Sequence, residues 1–302
     1  MIRKSLVICI SWALAISLAA AGDIPASQAK LSAADIVDKN VAARGGLQAW
    51  RSVHTMSLAG KLGAGGNQRA TLPVPAPAAP RSSKQKFSEQ MFSTRSVEEV
   101  QLPFVLELER PRKMRMELQF KGQTAIQVFD GANGWKLRPY LNRRVVEPYT
   151  PDEMKLASMQ ADLDGPLVDY AAKGTQIELA GMEKVEDRDT YKLKLTMKNG
   201  EAIHVWIDAQ TFLEAKIEGQ PRRLDGTYHP VEVYFQDYRP VDGLQIPHVL
   251  ETKVLPVSKT ALGFKDSPVP AEKIIIDKVV VNPKLDQSHF SKPEIGAASK
   301  AN

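Results

Sequence analysis

The chain has 302 residues, 43% of them hydrophobic, a formal net charge of +5 and a single cysteine; that is enough apolar material for one large β domain or two ordinary ones. Once an expected leader carrying Cys9 is removed no cysteine is left, which excludes disulfides, thiolate metal sites and a cysteine nucleophile together. The same leader carries Arg3 and Lys4, so 38 basic side chains remain against 35 acidic ones, interspersed along the chain, a balance that gives no electrostatic footprint for nucleic acid.

The leader follows the secretory pattern. Arg3 and Lys4 form a positive start, residues 6–20 an apolar stretch, and Ala19, Ala20, Ala21 and Gly22 a small-residue exit, which predicts a signal peptide over 1–22 cleaved near Ala21. The apolar stretch is about 15 residues, short of the roughly 20 a spanning helix needs. Cys9 lies inside it and is badly placed for lipid modification. A short helix is predicted next, with Ser32 as cap, Asp35 in the first turn and Gly45 as the left-handed stop. Ile36, Val37 and Val41 share one of its faces, and that face needs a cover.

From Val53 the spacing changes to alternation, the mark of strands with one wet and one buried face. Met114, Met116, Leu118 and Phe120 alternate with Arg115, Glu117 and Gln119; Tyr191, Leu193, Leu195 and Met197 alternate with Lys192, Lys194, Thr196 and Lys198. Shorter runs of the same kind, such as 56–62, 104–108, 203–207 and 274–281, bring the expectation to about ten or eleven strands. Glycine turns at Asp130 to Gly134, Asn199-Gly200 and Asp242-Gly243 make neighbouring strands antiparallel. Residues 63–96, rich in glycine and proline, read as a flexible insertion, and 291–302 as a disordered tail. A mid-chain helix starts at the capping box Thr150-Pro151-Asp152-Glu153, carries Met154 and Met159, and is ended by Gly165-Pro166. Its methionines suit core packing and an adaptable lid over an apolar ligand equally well.

Motifs for catalysis are few. His54, His204, His229, His248 and His289 are isolated in sequence, and no His-Glu-x-x-His, Gly-x-Ser-x-Gly, phosphate loop or dinucleotide fingerprint is present. Asp162-Leu163-Asp164-Gly165 begins like a calcium loop, but Pro166 stands at the next ligand position and no glutamate closes it, so it reads as helix termination. No cofactor is expected. A long curved sheet with two helices to cover it forms a cavity if its interior is hollow and a core if it is filled, and periodicity does not separate the two.

Four segments, in order, resemble the LolA/LolB-type lipoprotein carrier superfamily, in particular its outer-membrane lipoprotein-sorting proteins. They are Ala43-Arg44-Gly45-Gly46-Leu47-Gln48-Ala49-Trp50, Leu108-Glu109-Arg110-Pro111-Arg112-Lys113-Met114-Arg115, Phe129-Asp130-Gly131-Ala132-Asn133-Gly134-Trp135, and the stretch from Asp237 to Pro247 that contains Arg239-Pro240-Val241-Asp242-Gly243. The resemblance implies one domain over 23–290, a mainly β, incomplete antiparallel barrel closed by helices over a cavity for lipid chains. It implies a periplasmic, monomeric, non-enzymatic carrier whose partners are acyl chains of a lipid or lipoprotein, with an envelope membrane protein as a further partner. It implies that Arg110 latches the helical lid through backbone hydrogen bonds. Leu106, Leu108, Met114, Met116, Leu118, Phe129, Trp135, Met154 and Met159 are the expected cavity residues. The chain departs from the pattern in its length, through 63–96 and extended later loops, and in its methionine-rich strand. The alternative is an envelope protein-interaction or sensor module that uses the same fold without lipid transport.

Overall fold

Alternating side chains joined by tight turns dictate antiparallel meanders, and the chain builds two of them. The computed structural model describes residues 31–64, 100–139, 143–224, 227–257 and 269–294. The expected signal peptide and nearly all of the 63–96 insertion lie outside these residues, as does 295–302 of the expected tail; 291–294 are described, and Pro293 is buried. The first meander holds β1 (Thr55–Ala64), β2 (Val100–Glu109), β3 (Lys113–Phe120), β4 (Gln123–Phe129), β5 (Gly134–Arg138) and β6 (Arg143–Pro148). The second holds β7 (Gln176–Val185), β8 (Arg188–Thr196), β9 (Ala202–Asp208), β10 (Glu214–Leu224), β11 (Thr227–Val241), β12 (Leu244–Val254) and β13 (Glu272–Val281).

Antiparallel pairing of β1 with β13 joins the meanders into one 13-stranded sheet, with β6 at one edge and β7 at the other. The sheet does not close, so the fold is an incomplete barrel. Its strand count exceeds the ten or eleven that alternation reveals because β5 and β6, of five and six residues, are too short and too basic to display a period.

Among the described residues three α-helices accompany the sheet: α1 (Ala33–Ala43), α2 (Leu47–Arg51) and α3 (Pro151–Gln160). Ser32 and Asp35 form a capping box at the start of α1. Gly45, at φ 114°, makes the turn into α2, and it has to be glycine for a second reason: a Cβ there would strike the Gly243 carbonyl of the β11–β12 turn. The backbone bond from Gln245 N to Arg44 O, 3.0 Å, pins the two helices to that turn. Thr150 and Glu153 form a second capping box, with Pro151 at the first helical position of α3. In sequence α3 lies between β6 and β7, so its segment carries the chain from one free edge of the sheet to the other, and it packs against β4 and β5 on the way.

The register assigns each side chain to a face. Met56, Leu108, Met114 and Phe129 stand opposite one another across β1 to β4, followed by the row Leu58, Leu106, Met116 and Gln127. Lys136 extends this second row onto β5 and donates to Glu153 of α3 at 2.6 Å, which makes this the inner, helix-covered face. Across the seam the inner face continues through Ile274, Leu250, Val233 and Ile217 to Val205, Leu193 and Leu195. The outer face carries Glu107, Arg115 and Glu117 on one half and Lys192, Lys194, Glu218 and Glu232 on the other. Among the described residues no helix is long and apolar enough to cross a membrane.

The seam depends on Gly60. β1 and β13 shift register between Ala59 and Gly60, and a Cβ on Gly60 would land on the Ile275 carbonyl, well inside van der Waals contact. Gly60→Ala is expected to destabilise the protein by about 3 kcal/mol, read as a lower urea midpoint at unchanged slope. A control, Gly122→Ala, sits where nothing crowds the new methyl group, and its positive φ of 71° makes it the measure of backbone strain alone.

Candidate ligand cavity and its latch

The expected latch residue stands where β2 ends. Arg110 follows the last residue of β2, and its guanidinium faces the carbonyl end of α2. Nε donates to Val53 O at 2.7 Å and Nη2 to Trp50 O at 3.0 Å, so one planar fork holds a carbonyl of the last turn of α2 and one just beyond it. Nη2 also pairs with Asp164 Oδ2 at 2.6 Å. Asp164, whose side chain is 2% exposed, takes its second partner from Lys173, whose Nζ lies 2.6 Å from Oδ1. Lys173 also holds Asp162 at 2.9 Å and donates to Gly165 O at 2.6 Å.

The same point is held from a third side. Arg44 Nη1 donates to Asp164 O and to Glu214 Oε1, both at 3.0 Å, while the guanidinium stacks on Trp50 with its centre 4.3 Å from the ring. Tyr238 OH donates to Glu214 Oε2 at 3.2 Å. Burial, with the Glu214 charge beside it, pushes the Tyr238 hydroxyl well above its ordinary value, which keeps it a donor. One buried residue, Asp164, thus ties together α1 and α2, the β2–β3 turn and the segment after α3 through its carboxylate and its backbone carbonyl.

Burial alone would raise the Asp164 carboxyl, but the hydrogen bonds from Lys173 and Arg110 outweigh it and hold the group below the ordinary aspartate range. Asp162 moves the other way. Its burial dominates the opposing pull of Lys173 and the carboxyl is raised. At the start of α3, Glu153 resembles Asp164: burial raises it, and Lys136 with the Thr150 cap brings it below its usual value.

The residues expected at the cavity divide into three groups. Leu106, Leu108, Met114, Met116, Leu118 and Phe129 share the inner face. Within that set Leu108, Met114 and Phe129 are buried, whereas Leu106, Met116 and Leu118 stay partly exposed. Met154 and Met159 are half-buried on α3, and Met159 Sδ is 3.1 Å from Gln220 Nε2 of β10. Trp135 is elsewhere. It pairs with Val128 and packs with Ile126, Val128 and Leu137 on the outer face, because Phe129 and Gly134, not Trp135, carry the inner register across that hairpin.

A cavity of ≈ 640 Å³ opens between α3 and the second meander, a size common among ligand pockets. Met159, Met197, Ile203 and Ile217 form its apolar wall. Sequence reading did not single out Arg44, Asp164, Lys173 or Glu214, which are far apart in the chain. The nearest signal was Asp162-Leu163-Asp164-Gly165, a helix-ending motif with one more carboxylate than an ending requires. Among the described residues no group of three or more His, Cys, Asp or Glu is placed to hold a metal ion. His204 Nδ1 lies 2.9 Å from Glu218 Oε2 on the outer face, away from this cavity, and His229 and His248 are buried.

No family model matches the chain, and no curated protein matches it. Among solved structures it is similar to one described as a candidate outer membrane lipoprotein-sorting protein domain from Vibrio parahaemolyticus, at 13% identity over 85% of this chain and 95% of that one, with a TM-score of 0.48. A LolA superfamily protein from Nitrosomonas europaea matches at 14% identity over 87% and 99% of the two chains, also with a TM-score of 0.48. A DUF1329 family protein from Desulfovibrio piger matches at 13% identity over 88% and 98%, with a TM-score of 0.48.

Two outcomes are expected at the latch. Arg110→Leu removes two carbonyl contacts but leaves Asp164 paired with Lys173, so it costs about 1–2 kcal/mol, with faster amide exchange at 50–53 and 161–167 and an unchanged sheet spectrum. Asp164→Ala takes the shared carboxylate from Arg110 and Lys173, which are part-exposed and keep their other partners, and costs about 3 kcal/mol.

The acid limb of stability follows from the same carboxylates. Asp164 and Glu153 have folded values below their unfolded ones, so their contribution is whole above about pH 4 and is lost as pH falls through the folded values. Asp162, raised in the folded state, gains a proton earlier on acidification, and that favours the folded form. Melting temperature is therefore expected to hold steady from pH 7 to about 4.5 and to fall below about 4. Asp164→Asn should flatten that fall.

Proposed function

We propose that the protein is a binding protein, not an enzyme, which shields acyl chains of a lipid or lipoprotein against the inner face of its open barrel and releases them when the latch on its helices gives way. One observation carries this reading: the inner face is largely apolar, and many of its large side chains are only partly buried. Leu62, Leu106, Met116, Leu118 and Phe120 on one half, and Ile217, Val233, Phe235, Leu250 and Ile274 on the other, all point inward and all remain partly exposed. A close-packed core would bury such side chains to a few per cent. Leaving them wet forgoes roughly 25 cal/mol for each Å² of apolar surface, which an apolar guest recovers.

The latch suits a carrier. Arg110 holds helix-end carbonyls, each bond worth about 1 kcal/mol net, so the helices are held firmly enough to cover the face and weakly enough to move. The sequence resemblance to lipoprotein carriers points in the same direction, and a cleaved leader would put the protein in the periplasm. The half-exposed methionines Met116, Met154 and Met159 provide a surface that adapts to chains of different shape.

Native mass spectrometry of detergent-free protein from its own envelope, followed by solvent extraction, tests the reading. A co-purifying acyl species is expected. Delipidated protein that takes up neither lipid nor acylated peptide above a charge-matched control would overturn it. Met116→Glu, which places a charge on the inner face at a half-exposed site, is expected to weaken acyl uptake about tenfold while the protein stays folded.

A further inference from the structure

The ≈ 640 Å³ cavity under α3 is asymmetric in its chemistry. Met159, Met197, Ile203 and Ile217 give it an apolar wall, while its rim carries four cations, Arg112, Lys155, Lys173 and Lys198, against two carboxylates, Asp162 and Glu201. The four cations come from separate parts of the chain: the β2–β3 turn, α3, the segment after α3 and the β8–β9 hairpin. Lys173 and Lys198 are brought to the same lip by Gly174, whose open α-carbon, at φ 76°, lets the Lys198 stem lie across it; a Cβ there would sit 3.3 Å from Lys198 Cβ and 3.4 Å from its Cδ.

The rim cations are not equally committed. Lys173 is held by Asp162, Asp164 and Gly165 O. Arg112 reaches Asp162 only at 3.9 Å, with its side chain 47% exposed. Lys155 pairs with Glu201, but both side chains are well exposed, and a pair of that kind is worth at most about 1 kcal/mol. Lys198 is exposed and makes no ion pair among the described residues. Three of the four cations can therefore turn to a new anion at little cost.

Building on the acyl-binding reading, we propose that this cavity takes a single-chain anionic amphiphile, with the chain against Met159, Met197, Ile203 and Ile217 and the acidic head, carboxylate or phosphate, at the rim by Arg112, Lys155 and Lys198. The cavity volume fits one chain, and the rim's excess of two positive charges selects the sign of the head. The inner face of the barrel supplies affinity; the rim supplies discrimination between heads on the same chain.

The test is displacement of a fluorescent fatty acid from the delipidated protein at low ionic strength by four ligands of equal chain length: the fatty acid, the lysophosphatidic acid, the neutral monoglyceride and the alkyltrimethylammonium. The two anionic ligands are expected to bind about tenfold tighter than the neutral one, the cationic one weakest, and the gap is expected to narrow in 0.5 M salt. A fatty acid that alone shows the gain identifies the head as carboxylate; a lysophosphatidic acid that alone shows it identifies the head as phosphate. Lys198→Glu is expected to bring anionic and neutral ligands to within about twofold of each other, with the neutral affinity unchanged; Lys198→Gln should lie between. Equal affinity for all four heads, or an equal loss for all four in Lys198→Glu, would overturn the rim assignment and leave the acyl-binding reading standing. No uptake of any chain would overturn both.

Discussion

A carboxylate that is 2% exposed has to be paired or neutralised, and Asp164 is paired twice. That requirement organises the mouth of the barrel. Arg110 and Lys173 reach the side chain, and Arg44 reaches the backbone carbonyl of the same residue. Each of these cations has a second commitment: Arg110 to the end of α2, Arg44 to Glu214 at the start of β10, Lys173 to Asp162. Displacing Asp164 therefore loosens several segments at once, and displacing any one segment leaves Asp164 with a partner. Such a hub moves as a unit when its centre fails and tolerates the loss of a spoke.

The sheet below this hub is made in two halves, and the division matters for the cavity. Within each meander consecutive strands pair, most of them through short turns, although residues 65–99 separate β1 from β2 and 255–271 separate β12 from β13. Among the described residues the strands of the two halves pair with each other along β1 and β13, and the chain crosses between their far edges through α3. An open barrel of this kind has its interior width set by a segment other than the strands. Lys136 to Glu153 ties α3 to the first half, and Lys155 to Glu201 together with Met159 to Gln220 ties it to the second. A cover fastened to both halves can hold an apolar interior apart, where a sheet free to collapse would bury its own inner face.

Much of this was legible in the sequence, and what was not follows from physics. Alternation located eleven of the strands and turn residues located their hairpins, because a half-buried strand has to alternate and a tight turn has to bend backward. Both capping boxes, at Ser32 and Thr150, were readable from four residues each. Trp135 was placed by type and not by register: an aromatic residue beside a hairpin belongs to whichever face the pairing assigns, and the Phe129–Gly134 pair assigns it outward. Whether the interior is filled could not be read at all, since Leu106 and Leu108 give the same pattern although one is partly exposed and the other buried. The latch was half legible. Arg110 stands in a recognisable segment, but its carboxylate lies 54 residues away, and nothing local marks Asp164 as the buried member of its motif.

Lys173 belongs to both parts of the mouth. It lines the cavity beneath α3, and it is also one of the two cations that neutralise Asp164. There Asp162, Asp164 and the Gly165 carbonyl hold its ammonium group from three sides and commit it to the hub. Arg112, Lys155 and Lys198, more exposed and less firmly paired, are the rim cations able to turn toward an anion at little cost. Cavity and hub therefore share a wall and divide its charges: the cation that neutralises Asp164 stays with the segments it ties together, and the exposed ones face whatever approaches the rim.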